Sequence, residues 1–228
     1  MENLFNLTVW NLKRSPLFFL VVGALLVSFG SIPLIIQSNQ QGQEADFYFL
    51  LINLGVGIVM SWLFVAVMLQ AKAFRDKVEL PIGKVFWEGV LDCPGFLLYM
   101  LLYGLSMMAG GLMLIFPGFY AAFAFIFVTV IVVLDGNRES YFSWSRKLVH
   151  SDPLKVIGAV FFYGLATVLI MLPSFFIPKG DFRLMVRIFL LIPDALVEIF
   201  FGVYLVHLYF DLRDKFISST AADLKGED

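Results

Sequence analysis

The sequence predicts an all-α integral membrane protein with six transmembrane helices, arranged as three hairpins with short amphipathic helices at the cytoplasmic interface. Two observations predict this class. Of the 228 residues, 60% are hydrophobic and 15% are charged, against roughly 45–50% and about 25% in soluble domains. Six apolar stretches also have, or approach, the length of about 20 residues that a spanning helix needs. A soluble chain of this size has too few charges to cover so much apolar surface.

The first predicted hairpin joins apolar stretches at residues 16–36 and 47–71. Lys13 and Arg14 precede the first stretch, as the charged region of a cleaved signal peptide would. That stretch is longer than a usual signal-peptide core, and no clear A-x-A cleavage site follows it. We therefore predict a retained helix.

The second hairpin joins stretches at residues 94–116 and 119–134, and the second of these is short for a span. Pro117 and Gly118 separate them, because the proline ring blocks helix continuation and glycine permits a turn. The third hairpin joins residues 153–176 and 184–210. Residues 1–216 are thus predicted to form a single six-helix domain, and the polar residues 217–228 predict a disordered cytoplasmic tail.

The lysines and arginines predict the orientation. Thirteen of the sixteen lie at one end of the predicted spans, and the other three are in the segment that leads into the sixth span: Lys179, Arg183 and Arg187. Cytoplasmic loops are enriched in these residues. Both termini are therefore predicted to be cytoplasmic, which requires an even number of spans.

Two cytoplasmic loops carry apolar residues at helical spacing. Residues 82–93 and 141–149 each show an apolar face, a polar face and one tryptophan, Trp87 or Trp144. Such segments lie flat in the membrane interface, where an indole ring has one apolar and one hydrated side. Residues 3–13 form a weaker third case. Basic residues of these loops are candidate contacts for anionic lipid headgroups: Lys84, Arg138, Arg146 and Lys147.

Asp194 and Glu198 are the sharpest chemical signal, because two carboxylates at i, i+4 share one face of the sixth span. Carboxylates inside a bilayer are costly and face a partner, the protein interior or a water-filled cavity. One interpretation is a proton or cation site. The other is an ion pair with Arg187, two turns earlier, or with Arg183. His207 falls on a different face, which predicts an interfacial or packed histidine.

Several function classes are excluded or disfavoured. A single cysteine and two histidines provide neither a disulfide nor the ligands of a structural zinc site, and a net charge of −2 disfavours nucleic-acid binding. The phosphate-binding, zinc-protease and serine-hydrolase motifs are missing. We predict neither an enzyme nor a cofactor. The enzymatic alternative would place Asp92, Asp135 and His150 together at the cytoplasmic face, whereas the other interpretation of Asp92 and Asp135 is solvated or capping carboxylates.

Four segments carry a resemblance to a known group. These are FPGFY at 116–120, LDG at 134–136, SRKL at 145–148 and LYFDLR at 208–213, the last with Asp211 and Arg213 as its acidic and basic positions. Together they resemble a prokaryotic group of six-span membrane proteins. The group includes the membrane domain fused to some glycerophosphodiester phosphodiesterases and its stand-alone relatives. The resemblance implies a six-helix domain of the prokaryotic cytoplasmic membrane. It does not extend to the phosphodiesterase domain.

These observations predict a non-enzymatic membrane protein that acts as a scaffold, an accessory subunit or a lipid-binding module. Its expected partners are membrane lipids, with another membrane protein or a second copy of the chain as further candidates. The alternative is a small-molecule or ion transporter with its carboxylate site in the sixth helix.

Overall fold

The computed structural model describes residues 2–39, 47–113, 115–136, 140–177 and 181–225, and its regular elements there are all helices. In chain order they are α1 (Glu2–Arg14), α2 (Pro16–Asn39), α3 (Phe47–Arg75), α4 (Ile82–Met113), α5 (Ile115–Ala124), α6 (Val128–Leu134), α7 (Tyr141–Ser151), α8 (Pro153–Phe176) and α9 (Asp181–Lys225). The prediction of an all-α chain is confirmed for these ranges.

Within the described residues, five helices are long and apolar enough to cross a membrane: α2, α3, α4, α8 and α9. Their outer surfaces carry large exposed apolar side chains, among them Leu112, Leu154 and Phe175. In water such surfaces would be strongly unfavourable, but in lipid they are normal. The chain therefore has the character of a multi-pass membrane protein.

The predicted fourth span is shorter than the others and is interrupted. Its apolar helix covers residues 120–134, and a turn at residues 125–127 divides it between α5 and α6. Hydropathy could not predict this division because the turn residues, Phe125, Ile126 and Phe127, are as apolar as their neighbours. Six spans and three hairpins thus remain predictions.

Two helices are longer than predicted. The amphipathic segment before Pro94 and the span after it form the single helix α4. Packing holds this first part in line with the span: the Trp62 Nε1–H donates to the Phe86 carbonyl at 2.9 Å, and Gly89 lies against the Trp62 indole. Helix α9 continues to Lys225, through residues 217–225 of the predicted disordered tail, and residues 226–228 of that tail lie outside the described residues.

The core is built around α9, which packs against α1, α2, α3, α6, α7 and α8. From Gly202 to Leu212 nearly every side chain of α9 is buried. A Cβ atom at Gly202 would lie 3.0 Å from Cε2 of Phe64 and 3.2 Å from Cγ1 of Val67. Glycine therefore allows α9 to approach α3 this closely.

The charged end of the bundle is defined by ion pairs that join distant parts of the chain. Arg14 lies 3.4 Å from Glu79, Arg75 lies 2.6 Å from Asp214, and the Lys72 ammonium donates to the Leu134 carbonyl at 2.8 Å. The end of α1, the end of α3 with the loop after it, the end of α6 and the last third of α9 thus meet at one end.

Helix α1 runs alongside α9 instead of lying across the bundle end. The rings of Phe5 and Phe200 are 5.4 Å apart, and the Asn11 amide donates to Nε2 of His207 at 2.5 Å. The buried Asn11 and Thr8 form the side of α1 that faces the bundle. A hydrogen-bonded, buried His207 agrees with the packed histidine that the sequence predicted.

Candidate functional site

Helix α7 is an amphipathic helix docked on the bundle. Ser145, Leu148 and Val149 are buried against the protein, whereas Arg146 and Lys147 are exposed. The helix packs on α5, α6 and α9, and its Trp144 ring meets Phe216 edge to face at 5.3 Å. One face of α7 is therefore held by the bundle, and the other presents two cations.

Ser145 connects α7 to the interruption between α5 and α6. Its hydroxyl donates to the Ala124 carbonyl at 2.9 Å and accepts from the Phe127 N–H at 3.2 Å. Both backbone groups lie where the helix ladder is broken, and a buried backbone group without a partner is costly. One serine on the apolar face of α7 therefore provides a hydrogen-bond partner for a backbone group on each side of the break. Sequence reasoning missed this role, although a polar residue among Trp144, Leu148 and Val149 was a usable signal.

The four predicted anionic-lipid contacts have different surroundings. No carboxylate of the described residues lies within 4.0 Å of Arg146 or Lys147. Lys84 lies 3.7 Å from Glu88 on the next turn of α4, so its charge is partly balanced. Arg138 lies outside the described residues. Of the three members of this set that the structure describes, Arg146 and Lys147 are therefore the ones whose charge is not balanced by a described carboxylate.

Asp135 links the end of α6 to α9. The Tyr209 hydroxyl donates to this carboxylate, and Nη1 of Arg213 lies 3.1 and 3.2 Å from its two oxygens. The same guanidinium stacks over the Phe210 ring at 4.6 Å, and that of Arg75 does so at 3.6 Å. The sequence suggested a solvated or capping role for Asp135, but its side chain forms an ion pair.

A second charged group, here called the Lys155 cluster, joins the start of α8 to α9. It consists of Asp152, Lys155, Asp211 and Lys215. Lys155 lies 2.9 Å from Asp211 and 3.5 Å from Asp152, and Lys215 lies 3.5 Å from Asp211. Two cations and two anions make the cluster neutral in total. Asp211 and Arg213 were the acidic and basic positions of the resemblance to the six-span group. Their partners differ, because Asp211 pairs with Lys155 and Lys215, whereas Arg213 pairs with Asp135.

Two side chains of the enzymatic alternative, His150 and Asp135, bind other groups. The Nδ1–H of His150 donates to the Arg146 carbonyl at 2.7 Å, while Asp135 binds Tyr209 and Arg213. Asp92 lies on α4, one turn after Glu88. Among the residues that the structure describes, no group of three or more His, Cys, Asp or Glu could hold a metal ion.

Asp194 and Glu198 lie half-buried on α9, and both are within electrostatic range of the Tyr163 hydroxyl on α8. Arg187 is exposed and Arg183 is half-buried. Over the described ranges, neither arginine lies within 4.0 Å of either carboxylate. The described residues therefore show no ion pair between these arginines and the two carboxylates, which face α8 with no cationic partner among the described side chains.

Comparisons of this chain with protein-family models, curated proteins and solved structures find no match. The resemblance to the six-span group remains a prediction, carried by the sequence motifs alone.

Proposed function

We propose that this chain is a non-enzymatic, six-span protein of the prokaryotic cytoplasmic membrane that binds anionic lipid headgroups and acts as a lipid-binding or accessory subunit. The observation that carries the proposal is α7, a docked amphipathic helix whose exposed Arg146 and Lys147 have no carboxylate within 4.0 Å among the residues that the structure describes. Each basic residue close to an anionic membrane surface contributes about 1 kcal/mol of attraction.

The six-span topology is part of the same proposal. Residues 115–134 together approach the length of a span, and both α5 and α6 pack against α4. A crossing here, added to the five long helices, places α7 and both termini on one side of the bilayer. The excess of lysine and arginine at the charged end assigns that side to the cytoplasm.

The test measures the preference of boundary lipid for anionic headgroups. Purified protein is reconstituted with spin-labelled phosphatidylglycerol or phosphatidylcholine. Arg146→Gln/Lys147→Gln should lower the relative association constant for phosphatidylglycerol several-fold, and added salt should reduce the wild-type preference. Lys84→Gln is the matched control, and it should have a smaller effect because Lys84 is already paired with Glu88. An unchanged preference in the double variant would contradict the proposal.

A transporter is the second candidate, favoured by the half-buried Asp194 and Glu198, which have no cationic partner within the described ranges. We expect proteoliposomes with a pH-sensitive dye to show proton flux under an imposed membrane potential. Glu198→Gln should abolish that flux without changing thermal unfolding, because the carboxylate itself would carry the proton. Glu79→Gln, at an exposed carboxylate, should leave it unchanged. Equal flux in wild type and Glu198→Gln would reject this candidate.

A further inference from the structure

An apolar groove of about 590 Å³ lies between α8 and α9, with α1 at one edge. Phe162 and Tyr163 of α8, Leu196, Phe200 and Tyr204 of α9, and Phe5 of α1 line it. Its volume is typical of a small-molecule site. Its walls are braced by aromatic contacts: Tyr163 stacks on Phe201 at 4.1 Å, and Phe5 contacts Phe200. These contacts hold the walls of the groove in place.

The groove opens toward lipid. It lies between two of the helices that are long and apolar enough to span the bilayer. Phe162 and Leu196 on its walls are each about 60% exposed, so its mouth is on the outer surface of the bundle. At this depth the surrounding solvent is hydrocarbon. The occupant must therefore be an apolar chain.

We propose that the groove binds an acyl chain of a zwitterionic phospholipid, whose headgroup lies at the Lys155 cluster. The inference deepens the proposed lipid-binding function and rests on it, but it concerns a different site from α7.

The position of the groove along α8 and α9 supports this occupant. Its lining extends from Ala159 to Ala166 along α8 and from Tyr204 to Leu196 along α9, which is about 10–12 Å at the α-helical rise. Lys155 lies one turn before Ala159. Tyr204, at that end of the groove, is within electrostatic range of Lys155 and Asp211. A chain in the groove therefore brings its headgroup to the charged end.

The charges of the cluster select the headgroup class. Lys155 and Lys215 can contact a phosphate, and Asp152 and Asp211 can contact an ammonium group. Because the four charges sum to zero, the cluster complements a zwitterionic headgroup such as phosphatidylethanolamine better than one with a net negative charge. Lys215 is more than half exposed and is thus accessible from outside.

The experiment uses photo-crosslinking in nanodiscs that contain a phosphatidylethanolamine with a diazirine in its acyl chain. In the wild type we expect the label on α8 and α9 peptides that line the groove. Ala166→Trp, which fills the groove, should reduce this labelling at least fivefold. Val168→Trp is the matched control, because residue 168 is an exposed position of α8 outside the groove. Thermal unfolding of both variants checks that each is folded.

Two outcomes would overturn the inference: labelling spread over the outer face of α4, or equal labelling in the two tryptophan variants. Unlabelled phosphatidylethanolamine should compete better than phosphatidylglycerol, and the reverse order would overturn the headgroup assignment. Arg146→Gln/Lys147→Gln should leave the crosslink unchanged. The two proposals can therefore be supported or rejected separately. Loss of anionic selectivity in the double variant tests the role of α7, and loss of the crosslink in Ala166→Trp tests the groove.

Discussion

At the residue scale, the chain relies on single polar side chains that join segments far apart in sequence. Ser145 bonds to groups 18 and 21 residues earlier, and Asp135 pairs with Arg213 across 78 residues. The sequence indicated which residues were unusual, such as a serine on an apolar face or acids at span ends. It could not indicate their partners, because those are set by how the helices pack.

Ser145→Ala should destabilise the protein by about 1–3 kcal/mol, because it leaves the Ala124 carbonyl and the Phe127 N–H buried without a partner. Ser143→Ala, at an exposed position of the same helix, should have little effect. Thermal unfolding in detergent compares the two variants. Equal unfolding temperatures would show that the Ser145 hydrogen bonds do not stabilise the turn between α5 and α6.

At the scale of elements, hydropathy predicted where apolar helices lie but not where they break or continue. A turn divides the predicted fourth span, while α4 runs through Pro94 and α9 runs past the apolar segment. Local composition cannot distinguish these cases. The turn is stabilised by a side chain from α7, and the start of α4 is stabilised by Trp62 of α3.

The close contact between α4 and α5 requires glycine at position 118. A Cβ atom there would lie 2.9 Å from the Gly111 nitrogen and 3.0 Å from its Cα, both backbone atoms. Gly118→Ala should therefore destabilise by about 1–3 kcal/mol through overpacking. Gly104→Ala, where a Cβ atom meets no neighbour within 4 Å, should be neutral or slightly stabilising. Chemical or thermal unfolding of both variants tests this, and a neutral Gly118→Ala would contradict it.

At the scale of the whole molecule, the distribution of lysine and arginine was the most informative feature of the sequence. It predicted that the ends of distant helices share one side, and the ion pairs of Arg14, Arg75 and Lys155 now join those ends. Partly exposed pairs contribute little stability individually, about 0–1 kcal/mol. We infer that their main effect is to select one arrangement of the helices. The groove between α8 and α9 was not predictable, since it depends on which faces of these helices meet.

The six-span topology predicts that reporters fused at residue 2 and after residue 225 lie on the same side of the membrane. Fluorescent-protein fusions at both positions should fluoresce, and alkaline phosphatase fusions should be inactive, as expected for cytoplasmic ends. A phosphatase fusion after Ile177 should be active. Ends on opposite sides would instead indicate that residues 120–134 do not cross the bilayer.

The length of α9 has a mechanical consequence. Its 45 residues extend about 67 Å at the α-helical rise, whereas a bilayer with its headgroups is about 40–45 Å thick. A spanning helix adapts to bilayer thickness by tilting. Because α9 is continuous, a change of its tilt within the membrane would displace its projecting end further than the residues inside the membrane. A change in bilayer thickness would thus move the end of α9 that projects into the aqueous phase.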